Sequence, residues 1–359
     1  MVPLDWGIGH ATRCIPVINA LNRLGVTVYV AGEGPIVKIL EKAQGNHVIL
    51  PLKGYSIKYS SFKAFFFLKL ILQFPKVLAV INWEHLWLKK IVKQHQIDAV
   101  ISDNRFGLYH PQIPCIFITH QLFIETGNQF FNNLAQKINY QYLKKFTECW
   151  IPDVAGKNNL AGKLSHPVKL PAIPVRYLGI LSRLKRITVE EKHGLLILLS
   201  GPEPQRSIFE NILLAEIETL TTKVTLVRGL PMGGKKIPIR NEYLLVHDHL
   251  PSEALSELIQ RSENIIARCG YSTVMDLIAL KQKAILVPTP GQSEQEYLAG
   301  HLLKNKMFFT CPQENFSLQK CLSSAWAFQA IEVNHPVDAN EKIIADWING
   351  LKKVVIASQ

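Results

Sequence analysis

Two strand-turn-helix joints follow one another within residues 268–297, and they constrain this chain more than any other stretch. The first runs from Ile265-Ile266-Ala267 through Arg268-Cys269-Gly270-Tyr271-Ser272 into a helical pattern over residues 273–280. The second runs from residues 284–288 through Thr289-Pro290-Gly291-Gln292 into residues 293–299. If both strands are parallel, the two helix N-termini lie side by side. Their backbone N–H groups and helix dipoles favour anions, so the face suits a diphosphate. Other roles fit the same residues. Thr273 with Asp276, and Ser293 with Glu296, have the spacing of capping boxes, and Gly270 and Gly291 suit tight turns at positive φ. Arg268 stands directly after a strand, where doubly wound sheets bind ligands.

Around these joints, apolar strand-like runs alternate with helical patterns from end to end, which predicts α/β architecture with parallel sheets. In the first half, strands are expected near residues 27–31, 48–51, 99–102, 115–119 and 148–152. Helices are expected over 11–24, 34–44, 61–93 in two pieces broken near Pro75, and 128–145. A closing strand falls at Arg176-Tyr177-Leu178-Gly179, and a linker near 182–192. The pattern restarts at residues 195–200, giving domains over 1–181 and 190–339, with a last helix over 340–359. Before the first turn stand only Val2-Pro3-Leu4, fewer than the five or six residues of an ordinary strand, so a few residues are expected ahead of them.

A length of 359 residues with 48% hydrophobic content supports a full core in each of two domains. Cys14, Cys115, Cys149, Cys269, Cys311 and Cys321 show no metal-ligand spacing, so neither a disulfide nor zinc is expected and a reducing compartment is. No cationic-then-apolar leader opens the sequence, which points to the cytoplasm. The net charge is +12, and it is uneven: residues 1–180 hold 20 Lys/Arg against 9 Asp/Glu, residues 181–359 hold 20 against 19. Within the basic half, residues 55–93 mix Phe62, Phe65, Phe66, Phe67, Phe74, Trp83 and Trp87 with Lys58, Lys63, Lys69, Lys76, Lys89, Lys90 and Lys93. Two readings stay open here: a peripheral surface for an anionic membrane, on the cytoplasmic face of the inner membrane, or a buried helix pair whose lysines snorkel at its edges. Lys69, Gln73, Pro75 and Lys76 interrupt the run of about 20 apolar residues a spanning helix needs. No nucleic-acid-binding motif accompanies the charge, so nucleic acid is not an expected partner.

Asp5-Trp6-Gly7-Ile8-Gly9-His10-Ala11-Thr12 opens the first helix. It is an incomplete dinucleotide fingerprint, because Thr12 stands where the third glycine belongs, although Glu33 has the place of the ribose-binding acid. A nicotinamide-dependent enzyme is therefore a minor alternative. Gly7-Ile8-Gly9-His10, Ser200-Gly201, Arg268-Cys269-Gly270-Tyr271-Ser272-Thr273 and Gln295-Glu296-Tyr297 together resemble glycosyltransferase family 28. That family includes the enzyme adding N-acetylglucosamine to the lipid-linked peptidoglycan precursor, and the galactolipid synthases. The resemblance covers most of the chain and implies a GT-B fold: two Rossmann-like, doubly wound parallel-sheet domains with an interdomain cleft.

Carried over residue by residue, the resemblance implies that Asp276 contacts the donor ribose, replacing a longer glutamate, and that Gln295 and Glu296 contact the donor sugar, with Glu296 in place of a second glutamine. Ser200 and Gly201 match the phosphate-facing turn, where Pro202-Glu203-Pro204 replaces a glycine-rich continuation. Arg268, Gly270, Ser272 and Thr273 complete the donor side, and His247, between Val246 and Asp248, would border the uracil. In the first domain Gly7, Gly9, Thr119 and Gln121 would hold the acceptor. The reaction implied is a single inverting displacement by an acceptor hydroxyl on a UDP-sugar, with the sugar nucleotide as co-substrate and no cofactor. The acceptor would be lipid-linked or a glycolipid. His10 is the first candidate for general base, with His120, Asp103 and Glu125 in reserve. No D-x-D motif occurs, so helix dipoles, Arg268 and the Ser200 turn are expected to meet the leaving-group charge without a metal. The same fold also serves UDP-sugar 2-epimerases and non-catalytic nucleotide-sugar-binding proteins, which stand as alternatives.

Overall fold

A computed structural model describes the chain except for residues 6, 42, 56–62, 219, 238–240, 334–338 and 358–359, and leaves aside the side chains of 63–72, 74, 339 and 352–357. It divides into two compact units. The first takes residues 1–55, 71–183 and 339–357. The second takes residues 184–333 and the opening turns of the long helix, 63–70.

The first unit contains β1 (Val2–Pro3), α1 (Ile8–Arg23), β2 (Val28–Gly32), α2 (Pro35–Leu40), β3 (His47–Pro51), most of α3 (Lys63–His95), β4 (Val100–Asp103), β5 (Cys115–Ile118), α4 (Gln129–Leu143), β6 (Glu148–Ile151) and β7 (Val175–Tyr177). Strands β1-β4-β5-β6-β7 form one parallel sheet and β2-β3 a second parallel pair. Two backbone hydrogen bonds, Met1 N to Tyr29 O at 2.7 Å and Ala31 N to Met1 O at 3.2 Å, set β2 beside β1. The strand order reverses between β1 and β4, the arrangement that opens a ligand crevice at the carboxyl ends of a doubly wound sheet.

Strand β5 is buried at every residue, as a central parallel strand covered on both faces must be. Asn128 caps α4, its side-chain oxygen accepting from Phe130 N at 3.0 Å and Phe131 N at 3.4 Å. Helix α1 starts at Ile8, three residues before the expected 11, so His10 occupies a helical first turn rather than a loop. The break expected near Pro75 does not occur: α3 runs unbroken through it. Proline there costs one backbone hydrogen bond, and the apolar face beyond it, from Ile81 to Leu88, repays the helix for continuing by its burial. The helix packs so closely on the loop after β4 that a Cβ on Gly107 would lie 2.2 Å from Ile81 O and 2.5 Å from Glu84 Cβ, which leaves room only for glycine.

The second unit contains β8 (Leu195–Leu198), α5 (Gln205–Ile217), β9 (Val224–Val227), β10 (Leu244–His247), α6 (Ser252–Arg261), β11 (Asn264–Arg268), α7 (Tyr271–Ala279), β12 (Ile285–Val287), α8 (Ser293–Lys304), β13 (Phe309–Thr310) and α9 (Leu318–Ala327). Its sheet, β10-β9-β8-β11-β12-β13, is parallel throughout, and its order again reverses beside the first strand, between β8 and β11. Inward-facing Ile197, Leu226, Ile266 and Val287 pack with Phe209 and Leu213 of α5. The expected linker is half structural: Lys185 O accepts from Ser256 Oγ and Gln260 Nε2, which docks it on α6.

The last helix, α10 (Ala339–Ala357), packs on the first unit rather than standing apart. Ile344, Trp347 and Ile348 make a buried stripe at the i, i+3, i+4 spacing of one helix face. Trp347 meets the Trp150 ring edge-on at 5.2 Å, and Glu341 pairs with Arg23 of α1. All six cysteines are buried thiols, and the sulfurs of Cys311 and Cys321 lie 2.9 Å apart within one core.

Candidate active site

In the first unit, the switch point gathers a buried polar cluster from three elements. Asp103 ends β4, His10 and Arg13 share one face of α1 three residues apart, and His120 follows β5. Arg13 grips the Asp103 carboxylate with Nε on Oδ2 at 3.0 Å and Nη2 on Oδ1. Its Nη1 donates to His120 Nδ1 at 2.9 Å. His10 Nδ1 lies 3.1 Å from Asp103 Oδ2 and 2.8 Å from Arg13 Nη2. His10 is the member that reaches the surface, its side chain 17% exposed against 0% for Asp103.

Charge balance explains the protonation. Burial and then the neighbouring Arg13 guanidinium lower the pKa of His10 from 6.5, against the pull of Asp103. Burial alone would raise the Asp103 carboxyl, but Arg13 and His10 beside it hold it well below the usual carboxylate range. His10 Nδ1 stands between an acceptor, Asp103 Oδ2, and a donor, Arg13 Nη2, and the lowered pKa keeps the ring neutral at neutral pH, the form in which an imidazole takes a proton. Cys14 also faces Asp103, Sγ to Oδ2 at 3.6 Å, and burial raises its thiol far above the ordinary range, so it adds no charge.

Of the other residues expected here, Gly7 is the N-cap of α1 and Gly9 lies in its first turn, its carbonyl accepting from Thr12 Oγ1 at 3.0 Å. Thr119 is buried, and its hydroxyl accepts from Gln121 N at 3.0 Å. Glu125 is drawn elsewhere: its carboxylate accepts from Gly127 N and Asn132 Nδ2, both at 3.0 Å, and pairs with Lys163 at 2.5 Å. Glu33 accepts from Gly54 N at 2.7 Å.

In the second unit the turns after β8, β11 and β12 converge on one sheet edge. Register places Ala267 opposite Leu198 and Arg268 opposite Val287, so Ser200-Gly201, Gly270 and the Thr289-Gln292 turn are neighbours. A Cβ on Gly201 would lie 3.7 Å from Thr289 Oγ1. The parallel pairing of β11 with β12 brings the N-termini of α7 and α8 side by side at this edge. Gly201 has φ +98° and Gly291 +82°, conformations that favour glycine.

Several expectations are corrected here. Gly270 needs no positive φ: it is extended, at φ −83°, and a Cβ on it would meet only Thr273 Oγ1 at 3.8 Å. The N-caps of α7 and α8 are Gly270 and Gln292 rather than Thr273 and Ser293. Glu296 instead reaches back to Gly291 N at 3.0 Å, and Gln295 takes Thr289 N at 3.0 Å while its amide nitrogen meets Gln292. Both side chains order the turn. Arg268 is 1% exposed, donates to Gln205 O at 2.8 Å and Pro288 O at 3.4 Å, and lies over the Phe209 ring at 4.3 Å. Its guanidinium thus braces the turns from beneath, because the strand points it into the sheet-helix layer rather than past the edge. Asp276, Ser272 and Thr273 are half-buried on α7. His247 ends β10, two strands from β8 on the same edge, and its carbonyl accepts from Arg228 N at 2.8 Å.

An ionic network beside this edge was not legible in the sequence. Glu210 accepts from Arg228 Nε at 2.7 Å and Arg206 Nη1 at 2.8 Å; Arg206 also takes Glu203 at 2.6 Å, and Arg228 takes Asp248 at 2.6 Å. It ties the Gly201–Pro204 turn to the ends of β9 and β10. The two arginines hold the Glu210 carboxyl below its ordinary value despite burial. Only the i, i+4 spacing of Arg206 and Glu210 hinted at it.

Residues 241–325 match the glycosyltransferase family 28 C-terminal domain. Over 291 residues the chain is 25% identical to the UDP-N-acetylglucosamine--N-acetylmuramyl-(pentapeptide) pyrophosphoryl-undecaprenol N-acetylglucosamine transferase of Clostridium tetani, covering 78% of this chain and 75% of that one. It is 25% identical over 329 residues to an uncharacterised glycosyltransferase of Methanosarcina acetivorans, with coverage of 81% and 79%. The kitacinnamycin glycosyltransferase structure superposes with TM-score 0.61 at 13% identity over 99% of this chain and 94% of its own. Acinetobacter baumannii MurG does so with TM-score 0.51 at 14% identity over 98% and 93%; at these identities the likeness is one of fold, and the fold is GT-B. Within the second unit residues 241–325 thus match the family 28 C-terminal domain, and the chain is a glycosyltransferase.

Proposed function

We propose that the chain transfers a sugar from a UDP-sugar to a hydroxyl of a lipid-linked acceptor, with inversion at the anomeric carbon. The observation that carries this reading is the His10–Asp103 pair at the switch point of the first sheet, a base of lowered pKa held by a buried carboxylate. His10 takes the proton of the acceptor hydroxyl as its oxygen bonds to the anomeric carbon. The anomeric C–O bond breaks and its electron pair leaves with the diphosphate. Gly7, Gly9, Thr119 and Gln121 border the acceptor, with His120 beside them.

The diphosphate lies against the N-termini of α7 and α8, whose dipoles meet its charge without a metal. Gly270 supports this: neither its φ nor its protein neighbours require glycine, which fits a backbone approached closely by a ligand. Asp276 reaches the ribose, Gln295 and Glu296 hold the turn that borders the sugar, and His247 borders the base. Calorimetric titration with UDP tests this side. Asp276→Ala should weaken UDP binding by about tenfold, the loss of one charge-assisted hydrogen bond, and NAD should give no heat. Equal affinity in both proteins, or binding of NAD in place of UDP, would refute the donor assignment.

The lipid acceptor draws support from α3. From Pro75 on, Leu78, Trp83 and Leu86 are exposed together with Lys76, Lys89, Lys90 and Lys93, an apolar strip edged by cations that suits the headgroup region of an anionic membrane on the cytoplasmic face. The aromatic run over residues 62–74 falls outside the described side chains. Among the described residues no helix is long and apolar enough to cross a membrane. Co-sedimentation with phosphatidylglycerol vesicles should be lost in a Trp83→Ser, Leu86→Ser double variant and in high salt; a double variant that still sediments would remove α3 as the contact.

A further inference from the structure

We propose that Cys311 and Cys321 form a redox clamp in the second unit: a thiol pair that a hydroperoxide closes into a disulfide, pinning α9 to the segment after β13. Of the six cysteines, these are the two whose sulfurs meet, Sγ to Sγ at 2.9 Å. That is within about 1 Å of a disulfide bond length. The pair also lies nearest the surface. Cys311 is 8% exposed and Cys321 7%, whereas Cys14, Cys115, Cys149 and Cys269 are at 1% or less. An oxidant as small as a peroxide therefore meets this pair first.

Rigid neighbours hold both sulfurs in place. Cys311 N donates to Leu286 O of β12 at 3.1 Å, continuing the ladder of the edge strand β13. Cys321 stands in the first turn of α9, whose start is fixed where Leu318 N donates to Glu216 Oε2 of α5 at 2.8 Å. Between the two cysteines, Phe316 packs edge-on against Phe209 at 5.2 Å and Gln313 Nε2 donates to Gln205 Oε1 at 3.2 Å. The pairing thus belongs to the packed fold, and closing it takes a side-chain movement rather than a refolding. Burial and then the adjoining Cys321 raise the Cys311 thiol far above the ordinary range, so the first oxidation is slow and the pair rests reduced; the second step is fast because the partner sulfur is already in contact. In the first step peroxide gives one oxygen to a sulfur, leaving a sulfenic acid and water. The other thiol then attacks that sulfur, the S–S bond forms, the S–O bond breaks, and its hydroxyl leaves with the thiol proton as a second water. The sulfurs lose two electrons between them, and the peroxide gains both.

The test treats the full-length protein with hydrogen peroxide, blocks free thiols under denaturing conditions and digests with trypsin. Lys306, Lys320 and Lys342 put Cys311 and Cys321 in separate peptides, so the two travel together only when joined. The clamp predicts a linked pair that separates on reduction, with Cys14, Cys115, Cys149 and Cys269 still blocked as free thiols. It also predicts a melting temperature raised by roughly 5–10 °C, the effect of closing a short loop in a unit of this size, and brought back by dithiothreitol. Cys321→Ser should give no linked peptides and melt alike with and without peroxide. Wild-type protein with every thiol still free, a link through any other cysteine, or sulfinic acid at Cys311 or Cys321 in place of the link overturns the proposal. So does a linked protein whose melting temperature does not rise.

Discussion

Replacing His10 with alanine should lower kcat by about a thousandfold, the usual worth of a positioned general base, while UDP affinity stays within twofold of wild type. The asymmetry follows from placement. His10 belongs to the first unit's switch point, whereas every residue assigned to the donor lies on the second sheet's edge. A change at the base therefore removes a contact made to the reacting hydroxyl and leaves nucleotide binding alone. The pH dependence has a definite sign: burial and Arg13 lower the pKa of His10 from 6.5, so the base is unprotonated at neutral pH and activity is lost as pH falls through a midpoint below 6.5. Asp103→Asn should cost activity too, but for another reason, since an amide cannot stabilise the imidazolium that forms. A His10→Ala enzyme with wild-type kcat would leave the base unassigned.

Replacing Glu210 with alanine should destabilise the second unit by about 3 kcal/mol, because Arg206 and Arg228 lose their shared buried carboxylate and keep only Glu203 and Asp248. Arg206, Arg228 and Glu210 are each at most 4% exposed, and the two guanidiniums converge on one carboxylate. Without it, two like charges face each other in a site from which water is largely excluded. For a unit of this size the loss reads as a fall in Tm of roughly 10 °C. Because the same network braces Glu203 beside Gly201, UDP affinity should fall with it. Glu210→Gln, which keeps an acceptor, should lose less. Thermal melts of the two variants decide the point, and a Glu210→Ala protein melting with wild type would mean that water already screens the arginines.

Much of this was legible in the sequence because apolar runs reveal strands. Parallel strands buried on both faces, such as β5 and β8, are continuous Ile/Leu/Cys/Phe stretches bounded by turns, so the sheets, their carboxyl-edge turns and the paired joints around Gly270 and Gly291 could be read directly. The sequence offers His10 and Asp103 as candidates, but not that a single arginine between them touches both. Side-chain direction is where the sequence falls short. Arg268 follows a strand just as a phosphate ligand would, yet strand alternation turns it under the edge onto Phe209. Glu296 has the spacing of a capping residue, yet its carboxylate accepts from the turn's own N–H at Gly291. The Arg206–Glu210–Arg228–Asp248 network joins residues far apart in sequence, and no local pattern announces such a meeting.

The most direct test of the proposed reaction is nucleotide release measured with purified protein, a panel of UDP-, dTDP- and GDP-sugars, and bacterial membrane lipid extract added or withheld. Transfer predicts that UDP appears from a UDP-sugar only when lipid is present, with labelled sugar moving into the lipid fraction. A rearranged UDP-sugar formed without lipid, or nucleotide bound and never released, would contradict it.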